Sequence, residues 1–171
     1  MVNYFVEQEY IDAKAQRKRV LTAYLIIAAI YLIFSVGMVV YFTTLPYEAP
    51  EIGVVKLIHY TISVIFVIFS VLYLGIVFRR VNRYYRLTYN LNTGLRETSI
   101  GSFFEYDESI QDKDGVDCKA LIFIEWNKYK NDFFERKVLV LYEKPFPELQ
   151  EKQTVKYVTQ GNVLISYEIQ E

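Results

Sequence analysis

Cysteine and histidine are almost missing from this chain: its 171 residues hold one of each, Cys118 and His59. A single cysteine excludes an intrachain disulfide and with it the stapled framework of a small secreted module. One histidine and one cysteine also leave no Cys/His set with metal-ligand spacing. No Ser-His-Asp constellation or phosphate-cradling glycine loop is present, and no cofactor is expected. The glycines number 7 and the prolines 4, so breakers are few. Acid is missing from two further places, the long apolar runs at residues 20–42 and 54–78. A carboxylate-based proton relay inside either run is thereby excluded.

What is present is apolar length. The runs read VLTAYLIIAAIYLIFSVGMVVYF and VVKLIHYTISVIFVIFSVLYLGIVF. About 20 apolar residues in a helix match the hydrocarbon thickness of a bilayer, so both are candidate transmembrane helices. They account for the 53% hydrophobic content, which is high for a soluble protein of this length. The first run is too long for a signal-peptide core, its leader carries Glu7, Glu9 and Asp12, and no small-x-small site follows. A retained span is therefore expected rather than a cleaved signal.

Charge sets the expected topology. Arg17, Lys18 and Arg19 precede the first run, and Arg79, Arg80, Arg83 and Arg86 follow the second. The connecting stretch TTLPYEAPEIG has no basic residue and carries Glu48 and Glu51. Basic flanks are retained in the cytoplasm, which predicts a multi-pass protein of the cell (inner) membrane with both termini cytoplasmic. These seven basic residues form a belt at the membrane interface. Lys56 and His59 lie near the outer end of the second run, where a lysine can snorkel and a histidine can meet water, and their role stays open. With the turn near residue 49, Ala28 lies at the depth of Ser70 and Ser35 at that of Ser63. Small residues allow close helix approach, so these four mark the expected hairpin seam.

Beyond the spans the pattern continues. Val81, Tyr84, Tyr85, Thr88 and Leu91 recur at helical steps until Asn92-Thr93-Gly94, and Val2, Phe5, Val6, Tyr10 and Ala13 make a weaker stripe. From residue 96 the pattern becomes strand-like. Candidates are 98–108, 116–126, 133–142, 154–160 and 163–169, the last two joined at Gly161-Asn162 as a hairpin. The division is a cytoplasmic amphipathic segment 1–19, span 20–42, external loop 43–53, span 54–78, basic helix extension 79–94 and cytoplasmic β-domain 95–171. The expected class is an α+β membrane protein: a two-helix transmembrane hairpin followed by a small antiparallel five-stranded β-domain. That domain is either barrel-like, with OB- or SH3-like closure, or an open meander.

Asp112, Asp114 and Asp117 surround Gly115, but their spacing misses the calcium loop and the bidentate glutamate is absent, so a solvated turn is expected. Cys118 alternates in phase with Ala120 and Ile122, which marks a core residue. Residues 91–171 hold ten basic and fifteen acidic side chains, which argues against nucleic acid as a partner. The expectation is a non-enzymatic integral membrane protein that presents its β-domain for protein–protein interaction, as an adaptor or accessory subunit. Its expected partners are the bilayer and a membrane protein or a second copy of itself. The alternatives are a homo-oligomeric channel or transporter component and, more weakly, an anionic-lipid surface sensor using the arginine belt.

Overall fold

A computed structural model describes every residue except Tyr47, Glu48, Lys128, Lys130 and Glu171. The elements run β1 (Val2–Asn3), α1 (Glu7–Thr44), α2 (Glu51–Leu72), a π-helical segment (Tyr73–Phe78) and α3 (Arg79–Thr93). Five strands complete the chain: β2 (Glu97–Lys113), β3 (Val116–Asn127), β4 (Asp132–Leu141), β5 (Thr154–Gln160) and β6 (Val163–Ile169). They form two compact units. Residues Ala15–Asn82 make one, and Met1–Lys14 together with Arg83–Glu171 make the other.

The helical unit holds two helices long and apolar enough to cross a membrane, and their most apolar windows are unburied. Leu25, Ile30, Ile33, Val64, Ile68 and Val71 project outward. A half-buried stripe runs through Tyr24, Ala28, Tyr31, Ser35 and Met38 on α1, and another through His59, Ser63, Phe66 and Ser70 on α2, beginning at the buried Val55. Tyr31 stacks on Phe66 with centroids 3.9 Å apart and donates to Ser63 Oγ at 2.9 Å. The Tyr73 hydroxyl donates to the Val20 carbonyl at 3.0 Å and its ring stacks on Tyr24. Tyrosine and phenylalanine rings thus meet between the two helices, beside Ser63 and Val20.

The other unit is a closed five-stranded barrel with an extra strand. The strands follow the order β5-β2-β3-β4-β6, and β6 closes on β5. All pairs are antiparallel except β4 and β6, which meet in parallel at Leu139↔Val163 alone. The extra strand β1 lies against β6, with Val2↔Tyr167 and Asn3↔Ser166. Tyr4 and Phe5 continue it, both donating their backbone N–H to the Ile165 carbonyl at 2.8 and 2.9 Å.

On β3, β4, β5 and β6 side chains alternate between two cores, as a strand period of two requires. The barrel interior holds Phe103, Leu121, Phe123, Val138, Val140, Leu149, Val155, Tyr157 and Leu164. The outer core holds Cys118, Ala120, Leu139, Leu141, Val158, Val163 and Ile165 beneath Phe5, Leu87 and Leu91. Helix α3 and the residues before α1 therefore cover one outer face of the barrel. The buried Cys118 thiol is pushed up to about 11, chiefly by desolvation. Gly115, in the β2–β3 turn, has φ +79°, a region that favours glycine, and the guanidinium end of Arg83 lies where a Cβ would stand.

Candidate functional site

The inward stripes of the barrel turn polar at one end. On β3 the sequence Leu121, Phe123, Glu125 puts a carboxylate in phase with two buried apolar residues, and on β4 Arg136 stands in phase with Val138 and Val140. The Arg136 guanidinium grips Glu97 on β2 with both ends, at 3.3 and 2.7 Å. It also donates to Ser99 Oγ at 2.8 Å and to Thr159 Oγ1 at 3.4 Å, and lies 3.6 Å from Glu125. Tyr157 on β5 donates its hydroxyl to Glu125 and stacks on Phe123 at 4.4 Å. Four strands are tied by this network.

Close approach makes it possible. A Cβ at Gly101 would lie 3.2 Å from the Glu125 Cγ and the Phe123 Cβ, so glycine on β2 makes room for the carboxylate to fold inward. Burial, and then the Glu125 carboxylate beside it, raises the Tyr157 phenol far above its usual range. Hydrogen bonding from Arg136 lowers the Glu97 carboxyl. Burial works against the Arg136 charge, yet its partners hold it above the ordinary arginine value. With its donors directed at four acceptors, the guanidinium closes a structural cap. Among the described residues no group of three or more His, Cys, Asp or Glu is placed to hold a metal.

The same end carries the β3–β4 hairpin, whose aromatic side chains stand in solvent. Trp126 pairs with Phe133 across the ladder and meets it edge to face at 4.8 Å, while Phe134 pairs with Glu125. Trp126, Phe133 and Phe134 are 47%, 65% and 41% exposed, and Tyr129 in the turn is fully exposed. Phe103, Phe123 and Tyr157 are by contrast buried in the barrel, and the four aromatics gathered at this hairpin mark a candidate contact surface.

The basic belt divides between the units. Arg17, Lys18, Arg19, Arg79 and Arg80 belong to the helical unit, and Arg83 and Arg86 to the barrel unit. Lys18, Arg19, Arg79, Arg80 and Arg86 are exposed, while Arg83 lies along the β2–β3 turn. Ala28, Ser35, Ser63 and Ser70 are all half-buried. Ser63 accepts from Tyr31 and donates to the His59 carbonyl at 2.8 Å; the Ser70 hydroxyl is buried with no hydrogen-bond partner among the described residues. Lys56 and His59, with Met38, Val39, Phe42, Val55 and Tyr60, line a cavity of about 150 Å³. The Lys56 ammonium sits 5.2 Å from the Phe42 ring centroid.

Sequence reading missed the polar cap and the aromatic hairpin. The available signal was Glu125 and Arg136 standing in phase with apolar neighbours. No family model, curated protein sequence or solved structure matches this chain.

Proposed function

We propose that this is a non-enzymatic integral membrane protein that displays its barrel on the cytoplasmic side of the cell membrane for protein–protein interaction. Residues 20–42 and 54–78 would span the bilayer, with the loop 43–53 outside. The observation that carries the interaction reading is the β3–β4 hairpin, which holds Trp126, Tyr129, Phe133 and Phe134 in solvent on a barrel whose interior is already filled. Aromatic residues are enriched where proteins bind one another.

The membrane part of the reading draws support from chain order. One unit is assembled from residues on both sides of the apolar helices, and a compact unit occupies one side of a bilayer. On this reading the two helices cross in opposite senses, as a hairpin. The basic residues at these ends favour the cytoplasmic side.

The interaction is tested in native membranes with the full chain carrying a photo-crosslinking phenylalanine analogue at Tyr129 or Phe133. Both positions are expected to yield a discrete protein adduct, and Leu95, exposed at 94%, is expected to yield none. Absence of any protein adduct from the hairpin would contradict the interaction reading.

A further inference from the structure

We propose that the loop end of the helix pair holds a glycerophospholipid with an anionic headgroup, Lys56 taking its phosphate and the apolar cleft beside it an acyl chain. The inference rests on the membrane reading above and concerns the end of the hairpin remote from the arginine belt. The cavity of about 150 Å³ lies wholly within the helical unit, between the last turns of α1 and the first turns of α2. Met38, Val39, Phe42 and Val55 form its apolar wall, and Lys56 and His59 bring polar groups to it. Val39 and Lys56 are exposed, so the cleft opens on the outside of the pair. In a bilayer that surface meets lipid.

Lys56 is a cation in need of an anion. Its ammonium sits 5.2 Å from the Phe42 ring centroid on α1, and a ring face attracts a cation without neutralising it. No ion pair among the described residues includes Lys56. Glu51, five residues earlier on α2, lies about 140° away around the helix. The charge is thus left to a group from outside the chain.

The order of groups along the cleft matches that of a lipid. Lys56 stands at the outer boundary of the proposed span 54–78, and His59 lies one helical turn, about 4.5 Å, deeper. A phospholipid presents its phosphate at that boundary and its ester oxygens below it, followed by the chains. His59 Nδ1 is buried with no hydrogen-bond partner among the described residues, and an ester or phosphate oxygen would supply one. The Ser63 hydroxyl, bonded to the His59 carbonyl at 2.8 Å, fixes the backbone that carries this ring. A free phosphate ion would answer Lys56 but leave Met38, Val39, Phe42 and Val55 uncovered. Charge and apolar wall together favour the lipid.

The test uses the full chain in bilayers of phosphatidylcholine and phosphatidylglycerol, one or the other brominated on its chains to quench tryptophan fluorescence. Trp126→Phe removes the native signal. A reporter is then introduced by Phe42→Trp at the cleft, or by Ile33→Trp on the exposed middle of α1 as a control. At Phe42→Trp the anionic lipid is expected to be preferred about fivefold, the effect of one lysine close to an anionic headgroup. Ile33→Trp should show no preference. Lys56→Gln, an exposed change, should abolish the preference at the cleft, Lys56→Arg should retain it, and His59→Leu should reduce it. Added inorganic phosphate should leave it unchanged. Equal quenching by both lipids at Phe42→Trp, or a preference that survives Lys56→Gln, would overturn the proposal. Loss of the preference on adding phosphate would make a free anion the ligand and overturn the lipid. Quenching at Ile33→Trp with none at Phe42→Trp would mean that protein covers the cleft, which overturns the proposal and leaves the membrane reading standing. No quenching at either position would remove both.

Discussion

Replacing Arg136 with alanine should destabilise the barrel by about 3–5 kcal/mol, the range for breaking a buried ion pair from one side. The loss is large because the guanidinium is held among groups that depend on it. Glu125 is only 9% exposed, and without Arg136 its carboxylate would keep a tyrosine hydroxyl as its main partner in an apolar interior. Ser99 and Thr159 would lose their donor in the same step. For a unit of this size the thermal midpoint falls about 4–8 °C per kcal/mol, so a drop of more than ~12 °C is expected. Glu97→Gln is the contrast, because that side chain is 66% exposed and a surface pair contributes only about 0–1 kcal/mol. Joint replacement of Glu125 by leucine and Arg136 by methionine should recover most of the loss, since it removes both buried charges together. Thermal and urea unfolding of the full chain in detergent would measure all three variants. An Arg136→Ala protein within about 1 kcal/mol of the parent would mean that the cap is open to water.

The second large effect concerns residues distant in sequence from the barrel they complete. A chain of residues 83–171 alone should fail to fold stably, and residues 1–14 joined to it through a long flexible linker should restore folding. Phe5 is 7% exposed and packs with Leu87, Leu91 and Ile165 in the outer core. Loss of a buried phenylalanine side chain costs about 3–5 kcal/mol by itself. The segment contributes more than this ring. Tyr4 and Phe5 supply the N–H groups that reach the Ile165 carbonyl, and the Tyr4 hydroxyl donates to the Pro145 carbonyl at 2.7 Å. Lys144 in turn donates to the Tyr4 carbonyl at 2.7 Å and pairs with Glu9 at 2.5 Å. Circular-dichroism melting of the two chains measures the difference. A sharp, cooperative transition for 83–171 at the temperature of the joined chain would contradict the role given to Met1–Lys14.

Much of this architecture was readable from spacing alone, and the exceptions have physical causes. The five long strands announce themselves because hydrophobic phase alternates on both faces, as Leu121 and Phe123 do against Ala120 and Ile122. Gly161-Asn162 signals its hairpin, and both residues do adopt positive φ, 54° and 69°. Strand β2 runs on to Lys113, past the expected end at 108, because irregularities at Phe103/Glu105 and Asp107/Gln111 interrupt its alternation without ending it. Strand β1 is two residues long and too short to carry a period. Of the N-terminal stripe, Phe5 and Ala13 are buried while Val2 and Val6 are exposed, since a strand and then a helix divide that segment.

The sites were harder to read than the elements. Arg83 counts as one more basic residue in the sequence, yet its guanidinium end lies against the Gly115 turn. Glu125 and Arg136 look like ordinary solvated charges until register brings β2, β3, β4 and β5 together. Tyr31 and Tyr73 resemble interfacial aromatics in composition, and only the helix pairing shows them bridging the seam to Ser63 and the Val20 carbonyl. Phase within one element can be read locally. Partners across elements cannot.

If the apolar helices cross a bilayer as a hairpin, its two ends lie on one side, where they share one domain. Single cysteines at Glu51, Leu95 and Val2, probed in intact cells with a membrane-impermeant maleimide, test it most directly. Cys118 is fully buried and its raised pKa keeps the native thiol from reacting. Glu51→Cys is expected to be labelled from outside, whereas Leu95→Cys and Val2→Cys are expected to be labelled only after permeabilisation. Labelling of Glu51→Cys and Leu95→Cys from the same side would contradict it.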